Sequence, residues 1–293
     1  MRRTGLPMSD RLFVLLQYLL PQQLLSRVVG ALARSRLGLV RRPLVALFLR
    51  GYRPDLAEAL EPEARAYPSF NALFTRALRP GVRPIAGDAS VLVSPVDGRI
   101  SDLGISGAAR AIRAKGHDYS LATLLAGDRA RAAQLAGGPC MTIYLAPFNY
   151  HRIHMPFAGK LVAADYVPGR LFSVNAVTAR FVPGLFARNE RLVLHFESAH
   201  GPWALVFVGA LFVGSMGTVW HGDVIARPGR QPVALPMPAE AARSLARGAE
   251  VGRFNMGSTV VLLLPRGTAV WQGLSEGQAV RVGEALGRWP VAG

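Results

Sequence analysis

The chain has a single cysteine, Cys140, in 293 residues, which excludes an internal disulfide framework and any zinc cluster built on cysteine. Lysine is almost missing. Lys115 and Lys160 are the only two, so nearly all the basic charge is arginine. Acidic residues are sparse as well, 18 against 34 basic ones, for a net charge of +16. Charged residues amount to 18% and hydrophobic ones to 51%, which excludes global disorder and supplies material for a large core. In the first fifty residues no uncharged run reaches the roughly 18–20 residues that a bilayer span requires. The length suits one large domain or about two ordinary ones.

The charge that is present is unevenly placed. Residues 1–50 hold nine arginines (2, 3, 11, 27, 34, 36, 41, 42 and 50) against Asp10, a local balance of +8. These arginines alternate with leucine, a pattern suited to an anionic surface. Three helical pieces are predicted: Arg11 to Leu20, ending at Pro21; a second with Leu24, Leu25, Val28, Val29 and Leu32 on one face; and a third opening at Arg41, Arg42 and Pro43 and running to Arg50. One reading is a set of interfacial helices, apolar face in the acyl boundary and arginines among anionic headgroups. Another is a helical hairpin packed on the rest of the protein with a solvated basic face. Nucleic acid fits less well, because stacking aromatics are not interleaved. A signal peptide also fits poorly, since no small-residue cleavage site follows.

A mixed stretch follows, with an acidic helix-like segment from Asp55 to Arg65. After Pro84 the texture is β, with short Val/Ile/Leu runs punctuated by Gly and Pro, as in Ser90–Val93, Met141–Leu145, Lys160–Val167, Leu192–Phe196, Trp203–Val213 and Thr259–Leu264. Lys115 to Ala126 reads as a loop followed by a helix with Ser120 as N-cap. No charged residue lies between Glu197 and Asp223, long enough for a membrane span. Its glycines and valines predict two buried strands joined at a glycine turn instead.

Six histidines are available for chemistry: His117, His151, His154, His195, His200 and His221. His151 and His154 have metal-pair spacing, but no Cys, Asp or Glu lies within their motif, and Pro147 and Pro156 argue against a helix. In a strand or loop the two rings point differently, which allows separate jobs. Asp97 sits in a Pro/Gly-bounded turn, where an acid usually caps its own backbone. Gly257-Ser258 enters a buried strand, where glycine leaves its carbonyl unobstructed to a neighbouring hydroxyl. Gly214-Ser215 has similar surroundings. An Asp, a His and a Ser can form a nucleophile-activating triad.

Taken together, Ser94-Pro-Val-Asp97-Gly98, Lys115-Gly116-His117, Tyr150-His151-Arg-Ile-His154-Met-Pro156 and Gly257-Ser258-Thr259 resemble the proteobacterial-type phosphatidylserine decarboxylases. Val167–Asn175 and Leu185–Arg191 resemble the same family, and the likeness runs in order from about Tyr67 to Pro265. The resemblance implies an α+β fold, with N-terminal membrane-associated helices (1–66) before a β-rich catalytic domain (67–293) of mainly antiparallel strands. It implies a self-cleaving proenzyme in which Ser258 attacks the carbonyl of Gly257, with His154 as general base and Asp97 orienting it. The products are a β chain, 1–257, and an α chain, 258–293, whose Ser258 becomes a covalent pyruvoyl group. That cofactor forms a Schiff base with phosphatidylserine, carbon dioxide is lost, and phosphatidylethanolamine is released. His151 is assigned to protonation, and His117 and Tyr144 to the substrate's vicinity. No metal is implied. The implied setting is peripheral, on the cytoplasmic side of a bacterial inner membrane, as a homodimer of αβ units. Two rivals make different predictions. A Ser-His-Asp lipid hydrolase needs a Gly-x-Ser-x-Gly elbow, which neither Gly-Ser site has, and a non-catalytic membrane adaptor needs no serine chemistry. Pyruvoyl decarboxylases of free amino acids give no reason for the N-terminus.

Overall fold

Pro21 breaks the N-terminal apolar stretch, and the chain turns there. The structure, a computed structural model, describes residues 8–107, 112–114, 117–212, 215–224, 229 and 231–289. It opens with α1 (Met8–Leu19), α2 (Gln22–Arg34) and α3 (Gly38–Tyr52). Among the described residues no single helix is long and apolar enough to cross a membrane, although α1 and α2, bent by 87°, pass that test as a pair. α3 starts earlier than predicted, so Pro43 lies inside it. The Leu37 carbonyl collects the N–H groups of Val40 and Arg41, which closes the first turn before the proline ring is reached.

The acidic segment from Asp55 to Arg65 is not helical. It is a run of turns and bends. Pro62 interrupts it, and the side chains of Asp55 and Glu61 each accept an N–H two residues on, from Ala57 and Glu63. The short helix α4 (Phe70–Phe74) follows, with Ser69 accepting the Ala72 N–H at its start. Ser120 caps the helix Leu121–Leu124 in the same way, as its sequence predicts.

The rest is antiparallel sheet. Its main strands are β1 (Gly98–Ile105), β2 (Pro139–Leu145), β3 (Arg152–His154), β4 (Gly159–Val167), β5 (Arg191–Ser198), β6 (Gly201–Val208), β7 (Met216–Thr218), β8 (Gly222–Val224), β9 (Glu250–Phe254) and β10 (Ser258–Leu263). A nine-stranded sheet runs Val233–Ala234, β4, β5, β6, β10, β2, β1, Ala279–Val280, and Ser244–Leu245 also pairs with β4. A second sheet runs β8, β7, β9, β3, and a third joins Val91–Val93, Ala285–Arg288 and Val270–Trp271. The uncharged stretch before Asp223 is therefore two buried strands, β6 and β7, and they belong to different sheets. β10 is covered on both faces. Val260 and Leu262 enter one core with Ile143 and Phe207, while Val261 and Leu263 enter another with Leu135 and Phe186. Two covered faces are why this strand reads as a continuous apolar run rather than an alternating one.

α3 docks through Val45 and Phe48, whereas α1 and α2 turn buried polar side chains inward and most of their leucines outward. Gln17, Gln22 and Ser26 are buried, whereas Leu12, Leu15, Leu16, Leu19, Leu24, Val28 and Leu32 are exposed. Gln17 accepts the Ser173 N–H at 2.7 Å and donates to Thr178 Oγ1 at 3.1 Å. Gln22 accepts the Leu171 N–H at 2.9 Å and donates to the Gln17 carbonyl. These glutamines satisfy backbone groups of segment 171–178 that would otherwise be buried without partners. Gln22→Ala leaves the buried Leu171 N–H unpaired and is expected to cost about 1–3 kcal/mol in urea denaturation. Leu16→Ser, on the outward face, is expected to stay within about 0.5 kcal/mol.

Candidate active site

Three residues carry the chain from one sheet to the other: Phe254 ends β9, and Asn255, Met256 and Gly257 lead into β10. Asn255 is buried and satisfied on three sides. Its N–H reaches the Ser215 carbonyl (2.9 Å), its amide donates to Ser215 Oγ (2.6 Å), and its Oδ1 accepts from Asn71 of α4 (3.1 Å). Arg34 of α2 donates to the same Ser215 Oγ at 2.5 Å and pairs with Asp223 at 3.2 Å. Met256 packs on the cluster of Phe48, Phe70, Leu73 and Phe74. With this anchor in place Gly257 adopts φ +34°, a left-handed conformation that favours glycine, and no atom lies within 4 Å of where a Cβ would stand. Ser258 then opens β10 opposite Leu145 of β2.

His151 lies beside this junction. It is fully buried, and its carbonyl accepts the Phe254 N–H at 3.0 Å. Its Nε2 donates to the carbonyl of Ala146, the residue after Leu145, at 3.1 Å, and its ring stacks on Phe74 with centroids 4.1 Å apart. That leaves Nδ1 as the lone-pair nitrogen, buried and without a partner. Burial, followed by the Arg76 guanidinium, pushes the imidazole down to about 3 against the opposing carbonyls of Ala146 and Pro147. His151 is therefore neutral at physiological pH.

His154 faces a different way. Its Nδ1 donates to the Gly248 carbonyl at 2.8 Å, which fixes the tautomer, and its Nε2 accepts from the Tyr150 hydroxyl at 3.1 Å. Burial lowers its pKa, and the Gly248 carbonyl, Glu250 and Asp97 oppose that shift. It is a neutral imidazole with its basic nitrogen on Tyr150. Asp97 is buried, and its carboxylate is taken by Arg83, at 2.6 Å from Nη2 and 3.1 Å from Nε, and by the Val282 N–H at 2.8 Å. Arg83 Nη2 also binds Glu58 at 2.7 Å, and Arg281 adds a second cation to Glu58. The contact between Asp97 and His154 implied by the resemblance is thus not formed in this structure. Arg83 holds the acid, and both ring nitrogens of the histidine are engaged elsewhere. What joins the two is backbone, the His154 N–H donating to Pro95 O at 2.8 Å.

Tyr144 sits opposite Thr259 in the same ladder and lines a cavity of about 500 Å³ with Val174, Asn175, Ala179 and Phe186. Asp102, on its wall, is pushed up to about 6 by burial and by the like charge of Glu276. His117 lies in the strand His117–Tyr119, while Lys115, Gly116 and Gly214 lie outside the described residues. The sequence pattern does not single out Arg76, Phe74, Arg83, Asn255 or Tyr150. Only Tyr150 had a local signal, four residues before His154 in the same motif. Asn255 is close in sequence to Gly257-Ser258, but its partners are not, and Arg76, Phe74 and Arg83 come from distant segments.

The neutral state of His151 can be measured. Unfolded, it takes a proton below about 6.5; folded, only near 3. Its contribution to stability is complete above the unfolded value and is lost as pH falls toward the folded one. In urea melts at pH 7.5 and pH 5, wild type should lose about 2 kcal/mol more than His151→Gln, whose amide can still donate to Ala146.

Comparison with known proteins places this sequence in a family. Residues 70–288 match the family described as phosphatidylserine decarboxylase, and residues 12–53 match one described as PSD. A phosphatidylserine decarboxylase proenzyme of Acidovorax ebreus (strain TPSY) is 51% identical over 280 residues, covering 95% of this chain and 98% of the relative. Proenzymes of the same name from Methylibium petroleiphilum (50%, covering 97% and 100%) and Ectopseudomonas mendocina (47%, covering 96% and 99%) are similar over comparable lengths. A likeness that extends through the helices, the junction at Gly257 and the strands on either side means that this chain belongs to the phosphatidylserine decarboxylase family.

Proposed function

We propose that the protein converts phosphatidylserine to phosphatidylethanolamine and carbon dioxide after cutting its own chain between Gly257 and Ser258. The observation that carries this reading is the junction itself. Gly257 is held in a left-handed conformation with open space beside it, and Ser258 starts a central strand next to the loop that holds His151. The hydrolase reading finds no support here, because Ser258 leads into a strand and not into the helix of a nucleophile elbow.

Ser258 attacks the Gly257 carbonyl to exchange the peptide bond for an ester. His154 takes the hydroxyl proton on Nε2 when that nitrogen is released by Tyr150. Asp97 acts on His154 through its charge and through the Pro95 backbone contact. The residues present fit the pyruvoyl group that this maturation leaves at position 258, since a buried imidazole nitrogen without a partner is close at hand on His151. That group would supply an electron-withdrawing carbonyl, the chemistry needed to accept the electrons left when a carboxylate is lost as carbon dioxide. His151 delivers the proton that replaces it, and Phe74 fixes the ring plane.

The substrate stays in its bilayer, because each lipid methylene costs about 0.8 kcal/mol to expose. The outward leucines of α1 and α2, flanked by arginines, suit a peripheral position on the anionic cytoplasmic face of a bacterial inner membrane. A homodimer of αβ units completes the reading.

Intact mass under denaturing conditions tests maturation. Wild type should give chains of 257 and 36 residues (293 − 257), the shorter with a blocked N-terminus, and Ser258→Ala one full-length chain without activity. Full-length wild type with full activity would overturn the mechanism. In vesicle flotation, Leu15→Ser/Leu16→Ser/Leu19→Ser should weaken binding to anionic vesicles by about tenfold or more. Unchanged binding would remove the helices from the membrane contact.

A further inference from the structure

Arg76 is 4% exposed, yet only one of its three guanidinium nitrogens has a partner. Nη2 donates to the Phe148 carbonyl at 3.1 Å, while Nε and Nη1 are buried without any. No carboxylate among the described residues pairs with it. A buried cation left unpaired is costly, so an anion that arrives later gives this arrangement its sense.

Three contacts place Arg76 at the junction. It follows α4, whose Asn71 bonds Asn255 and whose Phe70 and Phe74 pack near Met256. Its partner Phe148 lies in the loop that leaves β2 just after Leu145, the residue paired with Ser258. The same loop holds His151 through Ala146, and the Arg76 charge is among those acting on His151.

We propose that Arg76 is the receptor for the carboxylate that Gly257 becomes, accepting it as the leaving group of self-cleavage and holding it afterwards as the new C-terminus. This rests on the self-cleavage reading above and deepens it. The electron balance is closed. The Ser258 Oγ–Gly257 carbon bond forms as the Gly257 carbon–nitrogen bond breaks. Loss of the Ser258 Cα proton then drives cleavage of Cβ–Oγ, and that electron pair leaves on the Gly257 carboxylate. The freed nitrogen takes up the proton that Ser258 Oγ gives up, a proton returns to Cβ as the enamine becomes an imine, and water then enters at the imine carbon, Cα, as ammonia departs. A carboxylate leaving group in a buried site needs a cation at hand, and a guanidinium is the side chain best fitted to one. The other carboxylate that reaches this site is the substrate's. A cation on that group stabilises it before carbon dioxide leaves and not after, which opposes turnover.

Arg76→Met keeps the side-chain bulk and removes the charge; Arg76→Lys keeps a charge without the fork. With wild type beside them, freshly made protein is followed by intact mass, with and without hydroxylamine. Arg76→Met should cleave about tenfold or more slowly and accumulate an ester that hydroxylamine cuts after Gly257, with Arg76→Lys in between. Cleavage of Arg76→Met at the wild-type rate, with a raised KM for phosphatidylserine, would assign the arginine to the substrate carboxylate and overturn the proposal. Slow cleavage without ester would also overturn it. A wild-type chain that never breaks would overturn the self-cleavage reading first, and this one with it. A measurement on wild-type sequence at the site covers the case in which Arg76→Met does not fold. In mature protein labelled with carbonyl-¹³C glycine, carrying Gly293→Ala to remove the second glycine carboxylate, Gly257 should titrate below the roughly 3.3–3.7 of an ordinary chain terminus. An ordinary value would overturn the proposal.

Discussion

The connection from β9 to β10 is the constraint on which the rest depends. β9 belongs to the four-stranded sheet and β10 to the middle of the nine-stranded one, and Asn255–Gly257 must bridge them. A span that short fixes the relative position of the two sheets. It also gathers what surrounds it: α4 through Asn71, α2 through Arg34 and Ser215, and the β2 exit loop through Leu145. The histidines hang from the same frame, since β3 is the partner of β9 and sets His154 opposite Glu250. Chemistry and architecture share one set of backbone hydrogen bonds.

The first two helices, α1 and α2, obey a different rule. In a water-soluble helix the apolar stripe faces the protein. Here the glutamines face it and the leucines do not. The polar contacts fall on segment 171–178, whose Val174 and Asn175 line the cavity beside Tyr144. The helix pair therefore grips a wall of that cavity while presenting its greasy side outward.

The strands were legible because burial leaves a period or a run, and β10, covered on both faces, left the clearest one. His151 and His154 were legible as different in direction, because a strand alternates its side chains. Asp55 to Arg65 has the charge and spacing of a helix but not the fold, because Asp55 and Glu61 each take a nearby N–H and Pro62 breaks the segment. The surroundings of Asp97 were invisible for another reason. Arg83 meets it, Glu58 meets Arg83 and Arg281 meets Glu58 only after long loops close, and no pattern within any one segment announces an ion network. Arg76 is the same case. Its burial is a property of what packs over it.

The position of β10 bears on what a cut at Gly257 leaves behind. The 36-residue piece would start as an interior strand, laddered to β2 on one side and β6 on the other, and would continue through Val270–Trp271, Ala279–Val280 and Ala285–Arg288, each paired with another strand. Such a fragment is woven into the sheet and not merely resting on it. Removing it means opening two ladders and a core at once, so the two chains would share a single cooperative unfolding transition, as if the backbone had never been broken.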